Sequence, residues 1–281
     1  MAPNPISDPE AMTPQAAQLT AQPFDDAASA YDAAFTASAL GRALRTLAWE
    51  RLDGAFRGPG RILEIGCGTG EDAVHLALRG LDVLATDPSP AMLRVAADKA
   101  KRMGCSQRIE FRCLPMERLG TELAGERFDG TWSNFGALNC VSNLDAAVAE
   151  LAPLLAPGAP LAWVVMGRHV PWEWAWFLAR GERAKAFRRQ QAGGAVWRGT
   201  RIVYPTPAEL ERTLAPYFAA TRRLPLGIVL PPSYASGWLE RRPRLLRSLV
   251  RAERSAQRSQ ALAALADHYV LEARRLPARD A

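Results

Sequence analysis

Apolar and polar positions along this chain alternate between the short runs of buried strands and the wider periodicity of helices. Ile62-Leu63-Glu64-Ile65 is a nearly continuous apolar run, the pattern of a strand covered on both faces. It breaks at Gly66, and DAVHLALRG, from Asp72 to Gly80, reads as the first turns of a helix. Leu81 to Thr86 forms a second strand closed by Asp87; Pro88-Ser89-Pro90 then starts a helix in which Met92, Val95 and Ala96 face inward. Further strands are predicted at Arg108–Arg112, Phe128–Trp132, Pro160–Met166, Ala220–Leu230 and His268–Glu272, with helices at Asp145–Leu155 and Pro205–Phe218 between them. Ahead of the first strand, Leu40, Leu44, Leu47 and Leu52 repeat on one helical face. The expected organisation is a disordered leader (1–23), an N-terminal helical cap (24–57), one α/β domain (58–276) with helical insertions at 167–204 and 231–266, and a short tail (277–281).

The turn after the first strand is the most informative stretch. Gly66-Cys67-Gly68-Thr69-Gly70 joins a strand to a helix N-terminus, an arrangement that cradles a ligand on backbone N–H groups. Glycine is needed there because a side chain would block close approach of ligand to backbone. The spacing is G-x-G-x-G; Glu71 stands where the dinucleotide fingerprint has its third glycine, which disfavours a Rossmann oxidoreductase. Asp87, seventeen positions after Gly70, ends the next strand where a carboxylate accepts both hydroxyls of a ribose.

LEIGCGTG with Asp87 closing the second strand resembles the class I methyltransferases that use S-adenosylmethionine. The resemblance covers roughly residues 58–276 and implies a Rossmann-like, seven-stranded, mostly parallel sheet with helices on both faces, in the order 3-2-1-4-5-7-6 with strand 7 antiparallel. It implies that the cofactor meets Glu64, Gly66, Cys67, Gly68, Thr69 and Gly70 on the first turn, and Asp87, Pro88 and Met92 on the second. Ser133 and Asn134 follow on the fourth strand. In similar proteins an N-terminal segment folds over the cofactor; Tyr31, Asp32 and Arg42 are the matching residues, against the reading of a plain capping helix. Relatives carry an acidic residue after the third strand for the adenine amino group, but Pro115 stands there, leaving Met116 and Glu117 to make that contact.

Composition changes this picture little. The net charge of +6 comes from arginines spread along the chain, with lysine only at 99, 101 and 185, and nucleic acid is not an expected partner. Four cysteines without C-x-x-C spacing or histidine partners read as reduced thiols of a cytoplasmic protein and not as a metal site, and no apolar run reaches the length of a membrane span.

The acceptor is less legible. Asn134 and Asn139 follow the fourth strand at the carboxyl edge of the sheet, where each serves either a substrate or a local turn. Among the histidines, His75 belongs to the first helix of the sheet domain, His268 begins the last strand and is placed far from the ligand edge, and His169 follows the fifth strand as a base or substrate contact. Trp172, Trp174 and Trp176 cover too wide an arc for an ordinary helix surface and form either a lid or one wall of an apolar substrate pocket. Arg244, Arg247, Arg251, Arg254 and Arg258 recur at three- and four-residue spacing, a solvated face or a docking strip for an acidic partner. The expected activity is methyl transfer to a small, apolar acceptor; the alternative is an RNA or carrier-bound substrate held by that arginine face.

Overall fold

A computed structural model describes residues 14–232 and 237–277, without the side chains of residues 14–22 and 34. Helix α1 (Pro14–Tyr31) begins inside the stretch expected as a leader, whose residues 1–13 lie outside the described residues, as do tail residues 278–281. One π-helical turn (Asp32–Thr36) links α1 to α2 (Ala39–Ala55). Ser38 caps α2 by accepting the Gly41 N–H, and Leu40, Leu44, Leu47 and Leu52 bury the face that the sequence pattern marks.

The sheet contains β1 (Arg61–Ile65), β2 (Asp82–Asp87), β3 (Ile109–Cys113), β4 (Gly130–Ser133), β5 (Pro160–Met166), β6 (Phe218–Leu226) and β7 (His268–Arg275). Their spatial order is β3-β2-β1-β4-β5-β7-β6. All neighbours from β3 to β5 pair in parallel, and β7 runs antiparallel to both β5 and β6. Helices α3 (Glu71–Leu78) and α4 (Pro90–Arg102) follow β1 and β2, as the predicted strand–helix rhythm requires. Apolar side chains on the two faces of the sheet make two cores: one contains Phe128, Trp163 and Tyr269, the other Trp132, Val164 and the leucines of α2. Among the described residues, no helix is long and apolar enough to cross a membrane.

Both insertions leave the sheet at the carboxyl edge of its parallel strands. The first is not wholly helical: after the helices Pro171–Leu178 and Arg183–Ala186 it closes with a hairpin pairing Ala195–Trp197 to Thr200–Ile202. In the second, the helix Pro243–Ala256 carries the arginine face. Leu246, Leu249 and Val250 pack on the core, whereas Leu245 is exposed. The sixth strand stops at Leu226 because the next four residues turn around a single carboxylate. Glu253, fully buried, accepts the N–H groups of Gly227 and Ile228 on Oε1 and those of Val229 and Leu230 on Oε2.

Glu253→Ala leaves four donors unmatched, two of them buried, and should lower unfolding free energy by about 3 kcal/mol or more, read by urea denaturation. Glu253→Gln keeps one accepting oxygen and should lose less. Equal midpoints for wild type and Glu253→Ala would show that the turn does not depend on this carboxylate.

Candidate active site

The glycine turn between β1 and α3 holds three left-handed residues, Gly66 (φ 69°), Gly68 (φ 53°) and Gly70 (φ 75°). Two of them are needed for packing. A Cβ on Gly66 would lie 2.1 Å from the Ala137 Cβ, and one on Gly70 2.6 Å from the Ala96 Cβ. A Cβ on Gly68 would meet nothing within 4 Å, so this backbone borders open space. The Gly66 and Cys67 N–H groups bond the Thr86 carbonyl (2.8 and 2.9 Å), tying the turn to β2.

Carboxylates gather near this turn. Asp87 accepts the Gly68 N–H on one oxygen and the Ser89 N–H on the other (2.9 Å each). Burial outweighs these two donors and pushes its carboxyl up to about 6. Glu64, 2% exposed at the end of β1, has an Oε2 without a hydrogen-bond partner; burial and the nearby Asp72 carboxylate raise its carboxyl well above the ordinary range. Asp72, in the first turn of α3, accepts from Arg45 Nη1 (2.6 Å), Trp49 Nε1 (2.7 Å), Asn134 Nδ2 (2.7 Å) and Trp132 Nε1 (3.2 Å). Burial alone would raise the Asp72 carboxyl, but the Arg45 charge and these donors hold it below its usual value.

The N-terminal segment straps across the turn through two further carboxylates. Asp25 accepts from Ser89 Oγ (2.6 Å) and from the Ala91 N–H (2.9 Å) at the start of α4. Asp32 accepts from Thr69 Oγ1 (2.6 Å) and pairs with Lys99 Nζ (2.8 Å), which also reaches Glu71 (2.7 Å). At the end of β4, Phe135 adopts φ 46°, a left-handed conformation uncommon for a side chain of this size. Its ring packs edge-on to Phe35 (5.0 Å) and His268 (5.4 Å), with the Arg45 guanidinium 5.0 Å from its centroid.

Residues 62–158, the part that holds this turn and the first five strands, match the methyltransferase domain family. Over those residues the chain carries a methyltransferase domain. It is 34% identical over 149 residues to a malonyl-(acyl-carrier protein) O-methyltransferase of Methylovorus sp. (strain MP688), covering 51% of this chain and 48% of that protein. It is 32% identical to a demethylmenaquinone methyltransferase of Renibacterium salmoninarum, covering 49% of this chain and 54% of the relative. The chain thus spans about half the length of the curated relatives it matches. Similar folds extend over nearly the whole chain: a Burkholderia thailandensis 1,6-didemethyltoxoflavin N1-methyltransferase (TM-score 0.58, 20% identity, 98% of this chain and 93% of the other) and a (4+2) cyclase (TM-score 0.59, 19% identity, 92% and 94%). At these identities they show the fold alone.

In the methyltransferase domain the residues expected at the cofactor converge in part. Glu64, the three glycines, Thr69, Asp87 and Pro88 lie on the two turns, and Tyr31 is close enough to Arg45, Asp72 and Asp87 to feel their charges. The buried Cys67 thiol faces the Gly68 carbonyl (3.7 Å), and Met92 is buried in α4. Met116 is also buried, while Glu117 accepts from the Ser142 N–H (3.1 Å) and hydroxyl (3.2 Å). Ser133 is inside the sheet, its hydroxyl donated to the Ile65 carbonyl. Arg42 is corrected: it is exposed and bonds the Ala37 carbonyl, while Arg45, one turn on, is the buried arginine of the site. The periodicity of α2 could have found it, since Arg45 falls beside Leu44 and Ala48 on the packed face.

The acceptor-side residues separate further. Asn139 is fully buried and spends its amide on the Met166 and Val203 carbonyls and the Met166 N–H, so it pins β5 to the first insertion with no group left for a substrate. Asn134 holds Asp72 and its own chain at Phe135. His75 stacks on Trp49 (4.0 Å) and bonds Asp53 (2.8 Å), and half-buried His169 packs edge-on to Trp174 (6.2 Å). The three tryptophans do not share a wall. The helix that carries them buries Glu173 and Phe177; Trp172 bonds the Ile228 carbonyl, Trp174 packs on Phe187, and Trp176 is covered by Arg180. The placement of His268 is also corrected: because β7 is antiparallel, its first residue pairs with Met166, the last of β5, at the ligand edge.

The glycine geometry separates packing from access. Gly66→Ala and Gly70→Ala should each lower stability by more than about 2 kcal/mol, since a left-handed alanine costs roughly 1–2 kcal/mol before any clash. Gly68→Ala should cost only the conformational part, so its thermal midpoint should be the highest of the three. A Gly68→Ala midpoint at or below the others would contradict the open space beside it.

Proposed function

We propose that this chain binds S-adenosylmethionine on the β1–β2 side of the sheet edge and transfers its methyl group to a small, largely apolar acceptor. The observation that carries this is the open backbone at Gly68, whose N–H is held by Asp87. These groups suit the ligand. Ribose hydroxyls donate to a carboxylate such as Asp87, a cationic amino group matches the acidic field of Glu64 and Asp72, and the first N–H groups of α3 attract a carboxylate. When bound, S-adenosylmethionine supplies a methyl group already activated on a sulfonium.

The chain's own work is then positioning. Asp87 and the glycine turn fix the ribose, and the Asp25 and Asp32 anchors hold the N-terminal strap over the turn and exclude water from it. Phe35 and Phe135 form an apolar boundary on the acceptor side. Orientation of this kind can supply about 7–11 kcal/mol of barrier reduction. In functional terms the strap runs to residue 57 and the methyl-transfer domain spans 58–276. We also place the chain in the cytoplasm, on the reduced character of its four free thiols.

A second reading is a carrier-bound acceptor. It is favoured by the exposed arginines of the 243–256 helix, of which Arg254 is paired with Glu50, and by the carrier-protein substrate named for one relative. Charge from Arg244, Arg247, Arg251 and Arg258 would then steer an acidic carrier.

Calorimetry with S-adenosylmethionine tests the primary reading. Hydrogen bonds to a charged group contribute about 1.5–3 kcal/mol, so Asp87→Ala should weaken binding roughly 10- to 100-fold. Donation from ribose favours the ionised carboxylate, and Asp87 in the free protein takes up its proton near pH 6. Affinity should therefore fall as pH drops through that value, by about tenfold for each unit below it. Asp87→Ala should remove the step centred there. Undiminished affinity in the variant would remove Asp87 from the site; preference for a nicotinamide dinucleotide would overturn the reading.

A further inference from the structure

Beside the cofactor cradle, the structure brings together a histidine and an aspartate that neighbour each other in sequence and that no step above uses. We propose that His268, oriented by Asp267, is the general base of the acceptor site, and that the acceptor is an aromatic hydroxyl. The inference rests on the methyltransferase reading and deepens it.

His268 stands at the ligand edge, opposite Met166 on β5 and Leu226 on β6. Its Nδ1 lies 3.1 Å from Asp267 Oδ2, close enough to pair with that carboxylate though not aligned for a hydrogen bond, and among the described residues its ring makes no hydrogen bond. The residue is only 9% exposed, and its ring packs edge-on to Phe135. Asp267 is locked in place: its other oxygen takes Arg189 Nη2 (2.7 Å), and its carbonyl accepts from Gly167 N (2.8 Å) and Arg189 Nη1 (3.2 Å). Arg189 is in turn paired with buried Glu173 (2.6 Å), which also meets Arg188 (2.6 Å). Burial would raise the Asp267 carboxyl, yet His268 and Arg189 hold it far below its usual range, so it stays an anion. An anion at Nδ1 favours the tautomer with the proton there and leaves Nε2 as an acceptor.

The position suits methyl transfer. Phe135 stands between the two halves of the site, with Arg45 of the Asp72 cluster on its ring at 5.0 Å and His268 at 5.4 Å. The base thus lies one aromatic ring beyond the side chains that border the cofactor turn. The charges behind it, Glu173, Arg188, Arg189 and Asp267, cancel in pairs, so nothing there repels a neutral acceptor or demands an anionic one. Phe35 and Phe135 supply the flat apolar contacts that an aromatic ring would use. In the step, a lone pair of the hydroxyl oxygen forms the O–CH3 bond while the C–S bond breaks with its electron pair left on sulfur. The hydroxyl proton passes to His268 Nε2, giving an aryl methyl ether, a neutral thioether and an imidazolium paired with the Asp267 carboxylate.

Two measurements on the full chain test this. Ring 15N NMR, with His75 and His169 as internal references, should show His268 protonated at Nδ1 when neutral, and 4-nitrophenol added to the S-adenosylhomocysteine-loaded chain should shift its Nε2 resonance selectively. A proton on Nε2, or no selective shift, overturns the proposal without any turnover being needed. For kinetics, a panel of phenols, catechols, aliphatic amines and thiols is screened with methyl-labelled S-adenosylmethionine. His268→Gln should lower kcat on the phenolic acceptor by about 100-fold or more while cofactor affinity stays within about threefold. Undiminished phenol methylation by His268→Gln, or turnover of amines or thiols with no phenol methylated, overturns the assignment. Failure of the wild type to bind S-adenosylmethionine at all overturns the methyltransferase reading and this one with it.

Discussion

The Asp72 carboxylate is the point at which the parts of this molecule are joined. It sits in the first turn of α3, directly after the glycine turn, and receives donors from α2 through Arg45 and Trp49 and from the β4 region through Trp132 and Asn134. A buried carboxylate without partners would take up a proton or force the fold open; with four donors it stays ionised and fixes the helix, the sheet and the N-terminal helices to one another. The consequences reach both sides of the site. On the cofactor side, the ionised Asp72 adds to the burial that keeps Glu64 protonated more readily than an exposed acid. On the acceptor side, Arg45 reaches over the Phe135 ring, whose left-handed backbone is held between Asn134 and the aromatic neighbours.

A second network does for the far edge of the sheet what Asp72 does for the near edge. Glu173, Arg189 and Asp267 join the helix after β5 to the start of β7, and Asn139 ties the loop after β4 to both β5 and the hairpin side of the same insertion. Buried ion pairs of this kind add little net stability over an apolar core, but breaking one partner leaves an uncompensated charge. They therefore specify one arrangement of the insertions over the ligand edge. Glu253 has the same logic in simpler form: one carboxylate organises four successive N–H groups where β6 leaves the sheet.

The sequence by itself determined the strand–helix order, the strand at Ile62–Ile65, the glycine turn and Asp87, because each rests on short-range physics. Apolar periodicity selects the element, and only glycine adopts three left-handed conformations within five residues at low cost. The leucines of α2 were legible for the same reason. What the tertiary structure decided were partners distant in the chain and the rotation of each element. Arg42 and Arg45 are equivalent in composition, and only the packing of α2 on the sheet sends one to solvent and the other to Asp72. The three tryptophans of the first insertion read as a lid or as one wall of a pocket, and only the structure shows their helix turning Glu173 and Phe177 inward, beside Arg188 and Arg189. His268 was misplaced although the resemblance already implied an antiparallel last strand: in that direction its first residue lies at the acceptor edge, opposite Met166.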